Sequence, residues 1–478
     1  MKPNPSLISE QAWSRTLACM AAALLLFYMV CPVAPLRWND LYLAYGKTLI
    51  IAMAALYFFV RGMRGVVEVR LVLWYAIWVF VTRLLNTDWY LQNELDLVIS
   101  RFLCAVILPV GLLLKGKDRE RLLDVVIAVA GAFYFVTALL GLYACVFGVY
   151  FYLPPEHVVF GLDNEFFGNT FMYVIAWETN RTISAVWFYL AWCMMAYEFF
   201  HCKNKLWRIP IGLAWLVFHL TIAFCFCRSI KLAVCVNVAM LLILWMVKAL
   251  PVRTRALKAA VIAILAVLSM GACYKSFDLL TSATAAVYNA MDVQVERTSD
   301  VFMGDRFRDR TQNGQDFRDT RNVSESVSNI SNRGEIYRSV LPTLREDPLR
   351  LAIGKYSSKL MDGPRKFLSY PYFHMHNFLL QVLMLTGLLG FGLVAAFCIL
   401  LVVRMVRLFF SDHPAATTAV KALTLPLAGI FIYGMFETIL FTASADNRAL
   451  TDFRELFFFL VAGIILGYYY DVFPQRKK

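Results

Sequence analysis

Apolar residues fall in long blocks separated by short polar connections. Twelve blocks can be delimited, at about 16–36, 41–60, 69–85, 97–114, 123–150, 183–201, 207–226, 229–248, 256–274, 377–403, 418–442 and 455–473. Each is close to or above the roughly 20 residues that a helix needs to cross a bilayer. Arg70, Arg83 and Arg101 interrupt the third and fourth blocks, which are the weakest of the set. The first block lacks a small-residue cleavage site before the second and reads as a retained anchor rather than a signal peptide. The pattern predicts an all-α integral membrane protein of about twelve transmembrane helices.

Charge on the connections alternates. One set is basic: Arg61, Arg64 and Arg70; Lys115, Lys117, Arg119 and Arg121; Lys203, Lys205 and Arg208; Lys248, Arg253, Arg255 and Lys258; Arg404 and Arg407; Arg476, Lys477 and Lys478. The other set has no Lys or Arg between Asn86 and Asp96, and only Arg181 between Phe151 and Thr182. Basic connections stay in the cytoplasm, so both termini are expected there. Arg228 and Lys231 break the rule, because they sit in a very short external connection. A positive pair beside the membrane on that side is costly and marks a functional candidate, unless it only snorkels to the interface.

Composition supports the pattern. Of 478 residues, 60% are hydrophobic and 17% charged. Soluble proteins average about 45–50% apolar and about 25% charged. The mean hydropathy is +0.62. A soluble enzyme, a nucleic-acid-binding module, a disordered hub and a secreted disulfide scaffold are all excluded. The net charge of +13 signals either an anionic partner or topology. The 11 cysteines lie in or beside apolar blocks, and none falls in the polar stretch between Tyr274 and His374. They read as small buried hydrophobes rather than a disulfide framework.

One connection differs in kind. Residues 1–274 hold the first nine expected spans, 275–376 form a large external loop, and 377–478 hold the last three. Within the loop, 293–332 is polar and reads as a flexible segment, or as a flap over a sugar substrate. The stretch 333–356 has Ile336, Val340 and Leu344 at helical spacing and reads as an amphipathic helix on the membrane face. Pro348 and Gly354 mark its exit.

Candidate chemistry collects on the external side. There is no phosphate-binding Gly-x4-Gly-Lys-Ser/Thr loop, so no nucleotide-driven pump is indicated. Cys225-Phe226-Cys227 lacks a second pair for zinc. His374 and His376 would face apart on a helix, so they do not make a metal site by themselves. Glu94 and Asp96 form an acidic pair that could hold a metal on a diphosphate. The remaining set is Arg228, Lys231, Arg333, Arg338 and His376. Arginine clamps phosphate oxygens bidentately and keeps its charge. Histidine can take a proton from a hydroxyl. Cations plus one base suit displacement at a sugar carbon with a lipid diphosphate leaving, and no metal or other cofactor is then needed.

These residues also carry a resemblance. His376-Asn377, a nine-residue gap and Gly387-Leu388-Leu389-Gly390 resemble the signature of the bacterial O-antigen ligase and O-antigen polymerase family. The stretch Ser331-Asn-Arg-Gly-Glu-Ile-Tyr-Arg338, through Asp347-Pro348 to Ile353-Gly354, resembles that family's Arg-x-x-Ile-Trp segment. Phe226-Cys227-Arg228-Ser229 resembles its Ser-Arg turn between two spans. The resemblance covers roughly 207–403. Cys227 stands where the family has Ser, Tyr337 where it has Trp, and the Gly-x-Gly after Pro348 is reduced to Gly354.

The resemblance implies a GT-C-like fold. It also implies en bloc transfer of an undecaprenyl-diphosphate-linked glycan to a glycan or glycolipid hydroxyl outside the cytoplasmic membrane, alongside polysaccharide assembly partners. Arg228 and Arg333 would bind the diphosphate, and His376 would be the base. Asn377 would orient the site or cap the tenth span. Arg338 and Lys231 join by position, with Tyr337 and His374 in support. The competing reading is a secondary transporter or lipid-linked oligosaccharide flippase, for which Arg101 is the one deep charge.

Overall fold

The computed structural model describes residues 66–85, 91–147, 151–153, 157–163, 173–176, 181–249, 254–291, 348–354, 376–441 and 453–474, apart from a few single positions, with isolated residues in 12–25 and 337–345. In chain order its elements are α1 (Val67–Leu85), α2 (Leu91–Leu113), α3 (Gly116–Phe147), β1 (Phe151–Leu153), β2 (His157–Asp163), β3 (Tyr173–Ala176), α4 (Arg181–His201), α5 (Lys205–Phe224), α6 (Arg228–Ala249) and α7 (Arg255–Met291). They continue with α8 (Pro348–Ile353), α9 (Phe378–Phe409), α10 (Thr418–Ala422), α11 (Thr424–Gly434) and α12 (Phe453–Val472). Most of block 16–36, block 41–60, the 293–332 segment, Arg333 and His374 lie outside the described residues.

The other expected blocks fall on helices. Six described helices are long and apolar enough to cross a membrane: α3, α5, α6, α7, α9 and α12. The chain is a multi-pass membrane protein. The expected span 418–442 is interrupted: α10 and α11 meet at Leu423, and Pro426 removes a backbone donor just after the break. Acidic Glu94 and Asp96, expected in a connection, belong to the first turns of α2, where the helix dipole favours negative charge.

The all-α expectation is corrected in one place. The strands Phe151–Leu153, His157–Asp163 and Tyr173–Ala176 form a three-stranded antiparallel sheet in the order β1–β2–β3. Its β2–β3 register sets Phe160 opposite Ala176 and Asp163 opposite Tyr173. Runs such as Val158-Val159-Phe160 and Tyr173-Val174-Ile175 are β-branched and aromatic, which suits a pleated surface. In addition, α7 continues to Met291, well past residue 274. Its 37 residues extend about 55 Å at 1.5 Å per residue, against a hydrocarbon core of about 30 Å. The alanines 283, 285, 286 and 290 favour helix in the added stretch.

Two helices form the centre. Ala185–Ala196 of α4 and Leu456–Leu466 of α12 are buried on every face, as expected of helices apolar all round. The most extensive helix pairing among the described residues is α2 with α12. Glycine makes that pairing possible. A side chain at Gly111 would run into the Leu460 carbonyl and the Ile464 nitrogen, and one at Gly463 into the Leu108 carbonyl. Gly463 and Gly467 are four apart on one face of α12, the small-residue spacing that lets membrane helices approach closely.

Polar ties lock the bundle at one end and in its middle. At one end Arg404 Nε bonds Glu68 Oε1 at 3.1 Å, Arg404 Nη1 bonds Tyr469 Oη at 2.9 Å, and Tyr470 Oη bonds Glu68 Oε2 at 2.8 Å. Arg119 joins Asp471 there at 3.2 Å. Mid-bundle, Asn237 Nδ2 donates to Tyr189 Oη at 2.7 Å and to the Leu425 carbonyl at 3.1 Å, joining α6, α4 and α11. The candidate site lies at the end opposite Arg404.

The glycine packing gives a direct test. Gly463→Ala forces a methyl into backbone atoms of α2, and overpacking of this kind costs about 1–3 kcal/mol. A lowered unfolding temperature in detergent is expected. Gly271→Ala, with nothing within 4 Å of the new methyl, is the control and should be neutral or slightly stabilising. Equal unfolding temperatures for the two variants would contradict the packing account.

Candidate active site

The site is built where α9 begins. Asn377 caps that helix, its Oδ1 accepting the Leu380 N–H at 3.1 Å, as an Asn side chain does at an N-cap. Its Nδ2 donates in the other direction, to the Met435 carbonyl at 3.2 Å. One side chain thus ties the start of α9 to the end of α11. His376 precedes the cap with φ 46°. Left-handed backbone is uncommon for a residue with a side chain and collects at functional positions. The half-buried ring places Nδ1 3.2 Å from Glu437 Oε2.

Tyr337 brings in the loop segment. Its hydroxyl donates to the His376 carbonyl at 3.1 Å. Arg338 follows it and is exposed. The hydroxyl is available because Tyr occupies the position where the resembled motif has Trp.

The glycine motif explains how α9 is seated. Gly387 is non-helical, with φ 66° and ψ −169°, and kinks the helix. A side chain there would meet the Ala352 carbonyl and, at 2.6 Å, the Gly354 nitrogen. Gly354 ends α8 with φ 78° and abuts Leu385 and Thr386 of α9. The two backbones therefore touch through two glycines, and only glycine fits either position. Carbonyls beside the kink take other donors: Arg83 Nη2 reaches Leu385 O at 3.2 Å and Trp78 Nε1 reaches Thr386 O at 2.8 Å. Arg83, an interruption of an apolar block in the sequence, thus satisfies a buried carbonyl.

Arg228 and Lys231 occupy the first turn of α6. The Cys225 N–H bonds back to Thr221 O at 3.1 Å and closes α5. The Cys227 carbonyl accepts the Lys231 N–H at 3.0 Å, and its Sγ lies 3.4 Å from Ser229 Oγ. Arg228 is exposed. Lys231 is buried against α7, its Nζ 5.5 Å from the Phe277 ring centre. His219 stacks on the same ring at 4.5 Å. Phe277 is thus the shared contact of His219 and Lys231.

Residues 212–395 match the family model described as O-Antigen ligase. Over these residues the chain resembles the O-antigen ligase domain. Enzymes of that family transfer lipid-linked glycans. No curated protein matches the chain. The matched stretch takes in the Arg228 turn, Tyr337-Arg338, His376-Asn377 and the Gly387 kink. Glu437 lies beyond it, and sequence reasoning missed this residue. Its signal was an acid near the end of the apolar block 418–442, and ionisable groups at membrane depth are functional by default.

The Tyr337 bond is testable within the matched residues. Tyr337→Phe removes the hydroxyl's bond to the His376 carbonyl and its longer 3.5 Å contact with the Met435 carbonyl, a loss of about 0.5–1.5 kcal/mol. Transfer by the purified protein should fall by up to about tenfold with little change in unfolding temperature. An unchanged rate would show that the hydroxyl does not hold His376.

Proposed function

We propose that the protein is a glycosyltransferase moving a glycan en bloc from undecaprenyl diphosphate to an acceptor sugar hydroxyl on a glycan or glycolipid. The observation that carries this reading is the His376–Glu437 contact at the start of α9. An ionised carboxylate only accepts, so it holds the imidazole proton on Nδ1 and leaves Nε2 with its lone pair. Nε2 takes the acceptor's hydroxyl proton as that oxygen attacks the anomeric carbon. The bond from the carbon to the diphosphate breaks, and its electron pair leaves with undecaprenyl diphosphate. Attack opposite the leaving group inverts the anomeric centre.

Arg228, Arg333 and Arg338 offset the charge that builds on the diphosphate, with Lys231 adding positive potential one turn into α6. Asn377 and Tyr337 fix the backbone of His376. Guanidinium groups supply the electrostatic role that a metal fills in other phosphate sites. Twelve spans with the Arg404 end facing the cytoplasm satisfy the basic connections and set the site on the external face. For a transporter reading, Arg101 is the one deep charge that suits it. That residue is paired with Glu455 in a helix interface.

His376→Ala should insert normally and lose glycan transfer by at least about 10²-fold, the usual worth of a general base. Wild-type transfer should persist in EDTA. Full activity of the histidine variant, or loss on chelation with recovery on added Mg²⁺, would overturn this mechanism. In a deletion strain, loss of the surface-glycan length ladder with single units still attached identifies a polymerase. Loss of all attachment identifies a ligase.

A further inference from the structure

Arg101 and Glu455 sit within apolar helices and are both buried. Arg101 Nη2 bonds Glu455 Oε2 at 2.8 Å, and its Nη1 bonds Oε1. Such a pair is weak evidence of stability, because its desolvation offsets most of its attraction and a packed apolar pair often serves as well. The geometry suggests another use. Glu455 Oε1 also accepts the backbone N–H of Phe441 at 2.7 Å. Tyr75 Oη donates to the Phe441 carbonyl at 3.2 Å. Phe441 has φ 58°, a strained conformation for a bulky residue that persists only where its surroundings impose it.

The Phe441 ring is also caged. Its centre lies 5.4 Å from that of Tyr75, 5.3 Å from Phe459, 6.0 Å from Phe397 and 6.5 Å from Phe378. Phe378 is the residue after Asn377, which holds Met435 O. Met435 and Phe441 are therefore each held, and Glu437 lies between them in sequence. The hydrogen-bonding partners at Phe441 come from α1 and α12, with Arg101 of α2 behind them, and all three helices lie outside the matched residues.

We propose that Arg101, Glu455 and Tyr75 form a clamp on Phe441 whose task is to position Glu437 against His376. These are positioning residues and touch no substrate. The inference rests on the reading of His376 as the base. Arg101 fixes the Glu455 carboxylate, Glu455 and Tyr75 fix Phe441, and the clamped segment presents Glu437. A deep charge pair is thereby used to aim an acid at the site, with no ion or proton pathway implied.

The test compares purified full-length variants in detergent with a lipid-diphosphate-linked donor. Arg101→Met with Glu455→Leu removes both charges together and also removes the acceptor for Phe441. It should lower kcat at least about tenfold with KM for the donor unchanged. Arg101→Met with Glu455→Gln keeps a neutral acceptor and should recover most of that loss. Tyr75→Phe, a conservative change expected to fold, should lower kcat in the same direction. In a Glu437→Gln background each clamp variant should add no further loss, because it acts through that residue. Equal kcat for the Leu and Gln pairs, unchanged kcat in Tyr75→Phe, or additive losses with Glu437→Gln would overturn the clamp. Should the charge-pair variants not fold, Tyr75→Phe and its Glu437→Gln cycle decide alone. Full activity of Glu437→Gln by itself would instead overturn the His376–Glu437 reading on which the clamp rests.

Discussion

Asn377 bonds in two directions, to Leu380 N–H within α9 and to the Met435 carbonyl. The start of one membrane helix and the end of another therefore cannot move independently. His376 and Glu437 are the neighbours of those two anchor points. Their 3.2 Å contact is a consequence of the tie. The strained backbone at His376 is held in place by the same tie and by the Tyr337 hydroxyl. A loop, a helix start and a helix end thus meet at one histidine.

Backbone groups at membrane depth must find partners within the protein, and this shapes the rest. The kink at Gly387 exposes carbonyls, which Arg83 and Trp78 satisfy from α1. The strained turn at Phe441 exposes an N–H and a carbonyl, which Glu455 and Tyr75 satisfy. Charges that look like intrusions in apolar blocks are therefore employed at irregular backbone. At the other end, Arg404 and Glu68 perform a purely structural tie between α1, α9 and α12.

Much of the fold was legible in the sequence because lipid imposes a length and a composition on each span. The described parts of blocks 123–150, 207–226, 229–248 and 377–403 lie almost wholly on long apolar helices. Two features were not legible. The sheet at 151–176 is held by pairings between strands, which no single-strand pattern reveals. The extension of α7 to Met291 follows from helix propensity in polar sequence rather than from hydropathy. For the site, the His376-Asn377 and Gly387–Gly390 motif was readable through its resemblance to the O-antigen ligase signature; the structure makes it a cap followed by a kink. Glu437 was not, because its role comes from a tertiary approach over 61 residues of separation. Lys231 was legible as a charge at the start of its helix, whereas its packing on Phe277 was not.

The central claim is that His376 and Glu437 act as one unit. The most direct measurement is single-turnover transfer by the purified protein in lipid vesicles, comparing His376→Ala, Glu437→Gln and the double variant. Residues that act as a unit are strongly non-additive. The account requires the double variant to be no slower than His376→Ala alone. Losses that multiply would contradict it.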